Sequence, residues 1–294
     1  MAQPLPLPIR VLVKGASTVV FVADMGGPRS DFTFGRVIEA EILEAGRPVE
    51  VRVLGAPSDL AKFSLRTWER DVLGWSPDVV VIHHGHYESI HYVLPRWLER
   101  HANSTRNRPV GRVRSLYRRK LLRAVWINLA KLQSRADRRF DSTLFRRRLR
   151  RVALDVEKMI QNVQTVGSPL VLVVEVVPPG RRWRSWMPGL DERTALMNTA
   201  LAEAVERIGR PNVRFVRTTE VLAERLDPDE EPTPDGGHYS PKAHRVIGEL
   251  LAGQILEWAR SEPHLRTRQP GRPQARSGGL VADDGQPRML EPGA

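Results

Sequence analysis

The chain has 294 residues, no cysteine and a formal net charge of +12 at pH 7. Its length is enough for a full hydrophobic core and reads as one α/β domain carrying an insertion. The lack of cysteine excludes disulfides, zinc–thiolate sites and thiol nucleophiles. Charge is unevenly distributed: residues 96–151 hold 19 Lys or Arg against three acids (Glu99, Asp137, Asp141), a net +16 that leaves −4 for the rest. The basicity therefore belongs to one segment and is not a property of the whole domain. The opening MAQPLPLPIRVLVKG lacks the charged flank, long apolar stretch and small-residue cleavage site of a signal peptide. Runs such as PLVLVVEVV are far shorter than the roughly 20 apolar residues of a membrane span, so a cytoplasmic protein with no transmembrane segment is expected.

The elements follow in chain order. Residues 9–13 form a short apolar run ending in Lys14-Gly15-Ala16-Ser17, which suits a buried strand delivering a serine at its C-terminal end. Residues 32–45 have helical spacing, with Phe34, Val37, Ile38, Ile42 and Leu43 apolar; 49–54 (VEVRVL) is a second strand ending at Gly55. A helix is predicted over 60–73, and a third strand over 77–82 that runs into His83-His84-Gly85-His86-Tyr87-Glu88. A fourth strand is predicted over 170–177, stopped by Pro178, Pro179 and Gly180, then a helix over 191–208, a fifth strand over 213–216 and a closing helix over 240–260. Strands alternating with helices predict a three-layer sandwich: a flavodoxin-like, five-stranded parallel sheet with helices on both faces.

The connection between the third and fourth strands is far longer than a simple crossover requires. Residues 144–166 fit the crossover helix, and 95–139 read as a basic helical insertion, in which Leu116, Leu121, Leu122, Val125, Leu129 and Leu132 mark an apolar stripe. The expected organisation is one domain over 1–260 with this insertion, followed by a Pro-, Gly-, Arg- and Gln-rich tail over 261–294 that reads as disordered.

Ser17, Asp235 and His238 offer a nucleophile, an orienting carboxylate and a base. In a DxxH segment opening a helix, the Asp can hold the imidazole while its other nitrogen faces a hydroxyl from elsewhere. In parallel α/β sheets ligands sit at the C-terminal ends of the strands. Ser17, Gly55 and the 85–88 turn all fall there. Each residue also has a structural reading: a small strand terminator for Ser17, a turn or cap for Asp235, a surface histidine for His238 and a helix N-terminal charge for Glu88. A metal site at His83, His84 and His86 is disfavoured, because adjacent strand residues face opposite sides and no carboxylate-rich motif accompanies them. His84 or His86 is expected to line the pocket, the others to pack or face solvent.

With these blocks in place, the chain resembles the SGNH hydrolases, the GDSL-like esterases and acetylhydrolases, over residues 9–260. Gly15-Ala16-Ser17 matches the family's first block with Ala16 in place of Asp, and Gly55 in LGAPSD matches the second-block glycine. Gly85-His86-Tyr87-Glu88 matches the third block with Tyr87 where the family has its oxyanion asparagine, and Asp235-Gly236-Gly237-His238 matches the last. The resemblance implies a serine esterase or acyl-transfer enzyme acting on small acyl esters, such as an O-acetyl group on a carbohydrate. Its catalytic residues would be Ser17, Asp235 and His238, its oxyanion hole the Ser17 and Gly55 amides with Tyr87 or His86, and it would need neither cofactor nor metal.

The alternative is an SGNH-fold binding protein of weak or no activity whose basic insertion docks an anionic glycan, lipid surface, phosphorylated ligand or protein partner. For the insertion, a solvated lid is the first expectation, an anionic surface the second and nucleic acid the last.

Overall fold

In a computed structural model of the chain, the described residues are 7–90 (apart from 24, 26–28, 57 and 58), 143–262 (apart from 186) and isolated positions within 125–139 and at 265. The expected insertion and tail thus lie almost wholly outside the described residues. Five parallel strands form one sheet in the order β2-β1-β3-β4-β5: β1 Ile9–Gly15, β2 Val49–Gly55, β3 Val79–His83, β4 Leu170–Val174 and β5 Val213–Val216. This is the predicted flavodoxin-like order, which reverses direction at β1 and β3 and opens a crevice at their C-terminal ends.

Alternation along the strands builds two cores. Ile9, Val11 and Val13 of β1, with Val79 and Val81 of β3, pack against helices α1 (Phe34–Glu44) and, late in the chain, Pro241–Ser261. Leu12, Val80 and Ile82 face α2 (Ala61–Arg66) and two long helices, Thr143–Thr165 and Leu190–Ile208. In chain order, α3 is His86–Ile90, α4 Thr143–Thr165, α5 Arg181–Arg184, α6 Leu190–Ile208, α7 Thr219–Arg225 and α8 Pro241–Ser261. Because both sheet faces are covered, β4 and β3 as far as Ile82 are apolar rather than alternating. Each fully buried Val, Leu or Ile contributes roughly 1.5–3 kcal/mol relative to exposure. Among the described residues, no helix is long and apolar enough to cross a membrane.

Four elements differ from expectation. The helix expected over 60–73 divides into α2 and a π-helical turn, Glu69–Leu73. The fourth strand ends at Val174, three residues early, because the Asn198 side chain of α6 takes over the backbone of Val176 at both its N–H (2.9 Å) and C=O (2.8 Å). The short helices α5 and α7 carried no periodic signal long enough to read.

The π turn has a partner that explains it. Lys14, 3% exposed on β1, points into the α2 face and donates from Nζ to Asp71 of that turn and to Thr67 Oγ1 at 3.0 Å. Shortening Lys14 to an apolar chain would leave the buried Asp71 carboxylate, among the described residues, ion-paired with Arg70 alone, whose exposed guanidinium donates from Nε to Oδ1 at 2.9 Å. Lys14→Met is expected to cost about 3–5 kcal/mol, with much of it restored in Lys14→Met/Asp71→Leu. Urea unfolding of the single and double variants checks this, and equal losses in both would refute the pairing.

Candidate active site

β1 ends at Gly15, which lies opposite Gly55 of β2 on one side and His83 of β3 on the other. The chain then enters a single 3₁₀ turn, Ser17–Val19, with Ser17 partly exposed at the sheet's C-terminal rim. Its carbonyl accepts from Val20 N at 3.0 Å and Phe21 N at 2.8 Å. A Cβ on Gly55 would approach Ala16 O to 2.8 Å and Val19 Cγ2 to 2.3 Å, so β2 presses on the serine turn as only a glycine allows.

Asp235 and His238 occupy the turn before α8. Asp235 Oδ1 accepts from the amides of Gly237 (2.8 Å) and His238 (2.7 Å), while Oδ2 lies 2.7 Å from His238 Nδ1. The aspartate therefore forms the turn and holds the ring at once. Burial acts to raise the Asp235 pKa, but the imidazole and the two amides outweigh it and hold the carboxyl below its usual value. Gly236 has φ +99°, and a Cβ there would strike Trp183 Cδ1 at 1.7 Å, so the indole of α5 lies directly over this turn. Ser240 then caps α8, its Oγ accepting from Ala243 N at 3.1 Å, with Pro241 in the first turn.

The serine turn and the histidine turn are joined in three ways. Phe21, one turn beyond Ser17, stacks on His238 with ring centroids 5.3 Å apart and planes at 27°. Ala23 N donates to Tyr239 O at 2.8 Å. Beneath them His83, fully buried, bridges Thr18 Oγ1 (2.9 Å from Nδ1) and Tyr239 OH (2.7 Å from Nε2), so the neighbours of Ser17 and His238 meet on one imidazole. His244 of α8 adds a fourth tie, with Nδ1 accepting from Phe34 N at 3.1 Å and Nε2 lying 3.1 Å from Phe21 O. Among the described residues no hydrogen bond joins Ser17 Oγ to His238; such bonds are commonly long before substrate binds.

The histidine-rich turn after β3 is more buried than expected: His83, His84 and His86 are all buried, and none faces solvent. His83 points to the α1/α8 side, and His84 to the α2 side, with Nε2 2.8 Å from Ser64 Oγ. Among the described residues, no group of three or more His, Cys, Asp or Glu is placed to hold a metal ion. His86 Cε1 lies 3.8 Å from where a Cβ on Gly237 would sit, which puts this ring against the Asp235–His238 turn; Tyr87 is half-buried in α3. Glu88 is buried and caps two helices, with Oε1 accepting from Ala61 N (2.9 Å) at the start of α2 and Oε2 from Gly85 N (3.0 Å) just before its own α3. Sequence reasoning missed the bridging role of His83 with Thr18 and Tyr239, the aromatic seat at Phe21, and Trp183. Only the aromatic at position 239 beside the DxxH segment could have hinted at the first.

No protein-family model matches the sequence, and no curated protein matches it. Among solved structures, the fold is similar to a lipase/acylhydrolase from Enterococcus faecalis, at 16% identity and a TM-score of 0.55, covering 85% of this chain and 96% of that one. It is also similar to Est24, a carbohydrate acetylesterase from Sinorhizobium meliloti, at 14% identity and a TM-score of 0.51, covering 85% and 99%. A structure assigned as a lipolytic protein of the G-D-S-L family from Desulfitobacterium hafniense DCB-2 matches at 12% identity and 0.51, covering 83% and 98%. The chain thus has the SGNH (GDSL) hydrolase fold.

Proposed function

We propose that this protein is a serine hydrolase of SGNH type, with residues 1–260 acting as one domain on a small ester. The observation that carries the reading is the Asp235–His238 pair, 2.7 Å apart, seated by Phe21 beside the turn that bears Ser17. In this reading Ser17 Oγ attacks the ester carbonyl and His238 Nε2 takes its proton. Asp235 fixes the tautomer with the proton on Nδ1 and stabilises the imidazolium. The tetrahedral oxyanion is held by the amides of Ser17 and Gly55 with a side-chain donor from His86 or Tyr87. Collapse expels the alcohol, which receives the proton from His238, and water repeats the sequence to release the acid. The position of His86 against Gly237 favours it over Tyr87 as the donor. An O-acetyl group on a carbohydrate is the substrate class we infer, in keeping with the acetylesterase of the same fold.

The test is labelling with a fluorophosphonate probe, which forms a bond to an activated serine. The native chain is expected to be labelled and Ser17→Ala not. Absence of labelling in both, with small acetyl esters left intact, would instead favour an SGNH-fold binding protein, a reading to which Ala16 and Tyr87 at the family's Asp and Asn positions lend support.

A further inference from the structure

On the second face of the sheet, α2 and α4 border an open cleft of about 350 Å³. Arg147, Arg148 and Arg151 of α4 and Lys62 of α2 line it, with Glu88 and Asp155 as its acids. Among the described residues neither Arg147 nor Arg151 makes a hydrogen bond, and Arg151 interacts with Asp155 only through its charge. The lining cations outnumber the lining acids, with Asp155 in electrostatic reach of Lys62 and Arg151, and Glu88 of Arg148. Both oxygens of Glu88 are already committed to the amides of Ala61 and Gly85. Burial also pushes the carboxyls of Glu88 and Asp155 above their usual values.

The cleft adjoins the candidate active site through those same amides. Glu88 ties Gly85, which begins the turn bearing His86 and Tyr87, to Ala61 at the end of the loop that leaves Gly55. We propose that this cleft binds a small organic oxyanion, a phosphate monoester, at the rim of the candidate active site. Arginine forks match phosphate oxygens two at a time, and a concave site of one charge sign concentrates anions. The volume lies in the range of small-molecule sites, about 300–1,000 Å³, and leaves room for an organic body beside the phosphate.

The proposal goes beyond the hydrolase reading and does not depend on it, so it is tested on the full-length Ser17→Ala chain, where no turnover occurs. Calorimetric titrations with glucose 6-phosphate, inorganic phosphate and glucose are compared in chloride at fixed ionic strength. Both phosphates are expected to bind and glucose not. Arg147→Ala/Arg151→Ala is expected to weaken glucose 6-phosphate about 10- to 100-fold, and Arg147→Lys/Arg151→Lys less, because lysine keeps the charge and loses the fork. Lys62→Ala, on the opposite wall, is expected to weaken binding independently. Circular dichroism confirms that each variant is folded; the substituted arginines are exposed on α4. Glucose 6-phosphate binding no better than glucose, affinity unchanged in the arginine double variant, or binding confined to inorganic phosphate would each overturn the proposal.

Discussion

Ser17→Ala and His238→Ala are each expected to lower ester turnover about a million-fold, and the double variant no further. The reason lies in how the site would work. A serine hydroxyl without its base is a poor nucleophile, and the base without its serine has no proton to move, so removing either removes the whole step. What survives is the contribution of the oxyanion donors and substrate binding, about 10³–10⁴ over water. Asp235→Asn should behave differently. Its side chain can still accept from the Gly237 and His238 amides at one oxygen, but an amide NH₂ facing Nδ1 favours the wrong tautomer. A loss of about 10⁴ in kcat is expected with the fold intact. Steady-state kinetics on a 4-nitrophenyl acetate series checks all four variants. Multiplying losses in the Ser17/His238 double variant would mean that the two residues act separately, and the serine-base assignment would fall.

The parts of this arrangement that were legible in the sequence share one property: they depend on local pattern. The central strands β1, β3 and β4 show as apolar runs, the edge strands β2 and β5 as short β-branched segments broken by charged residues, and α8 shows because Ser240, Pro241 and its apolar stripe lie consecutively in the chain. Asp235 and His238 are three residues apart, so their pairing also needs no tertiary knowledge. What was not legible depends on contacts between distant segments. The end of β4 is set by Asn198 on α6, a hydrogen-bond competition invisible in the run of valines. His83 looked like one of three similar histidines, and strand alternation alone gave only its side of the sheet. That it joins Thr18 to Tyr239 follows from three separate elements converging on the rim. The place of Glu88 in the first turn of its own helix is local, but its second bond reaches Ala61, which nothing local places within reach.

Acidification is expected to unfold the protein well above the pH at which its carboxylates titrate. Burial pushes the pKa of His83 from 6.5 down to about 4, of His84 to about 3 and of His244 to about 4. In the unfolded chain all three bind protons near 6.5, so between there and about 4 the unfolded state holds up to three more protons than the folded one. Stability is therefore greatest above 6.5 and falls as pH drops through this window. Each proton corresponds to about 1.4 kcal/mol per pH unit, so three give a slope of about 4 kcal/mol per unit, large against a typical total of about 5–15 kcal/mol. Glu88, Asp59 and Asp155 oppose it, because burial raises their pKa values and the folded state takes up their protons first; this flattens the lower end of the window near the ordinary carboxylate range. The upper end, from pH 6.5 to about 5, belongs to the histidines. Urea unfolding across that interval measures the slope. Ser64→Ala/His84→Leu removes one buried imidazole together with its hydroxyl partner, and is expected to reduce the slope by about 1.4 kcal/mol per pH unit. A slope unchanged in that variant would mean that His84 is not among the groups whose burial makes the fold acid-sensitive. The same titration bears on activity, because His83 and His244 hold the serine and histidine turns together. Turnover should therefore be absent at every pH below the acid unfolding midpoint.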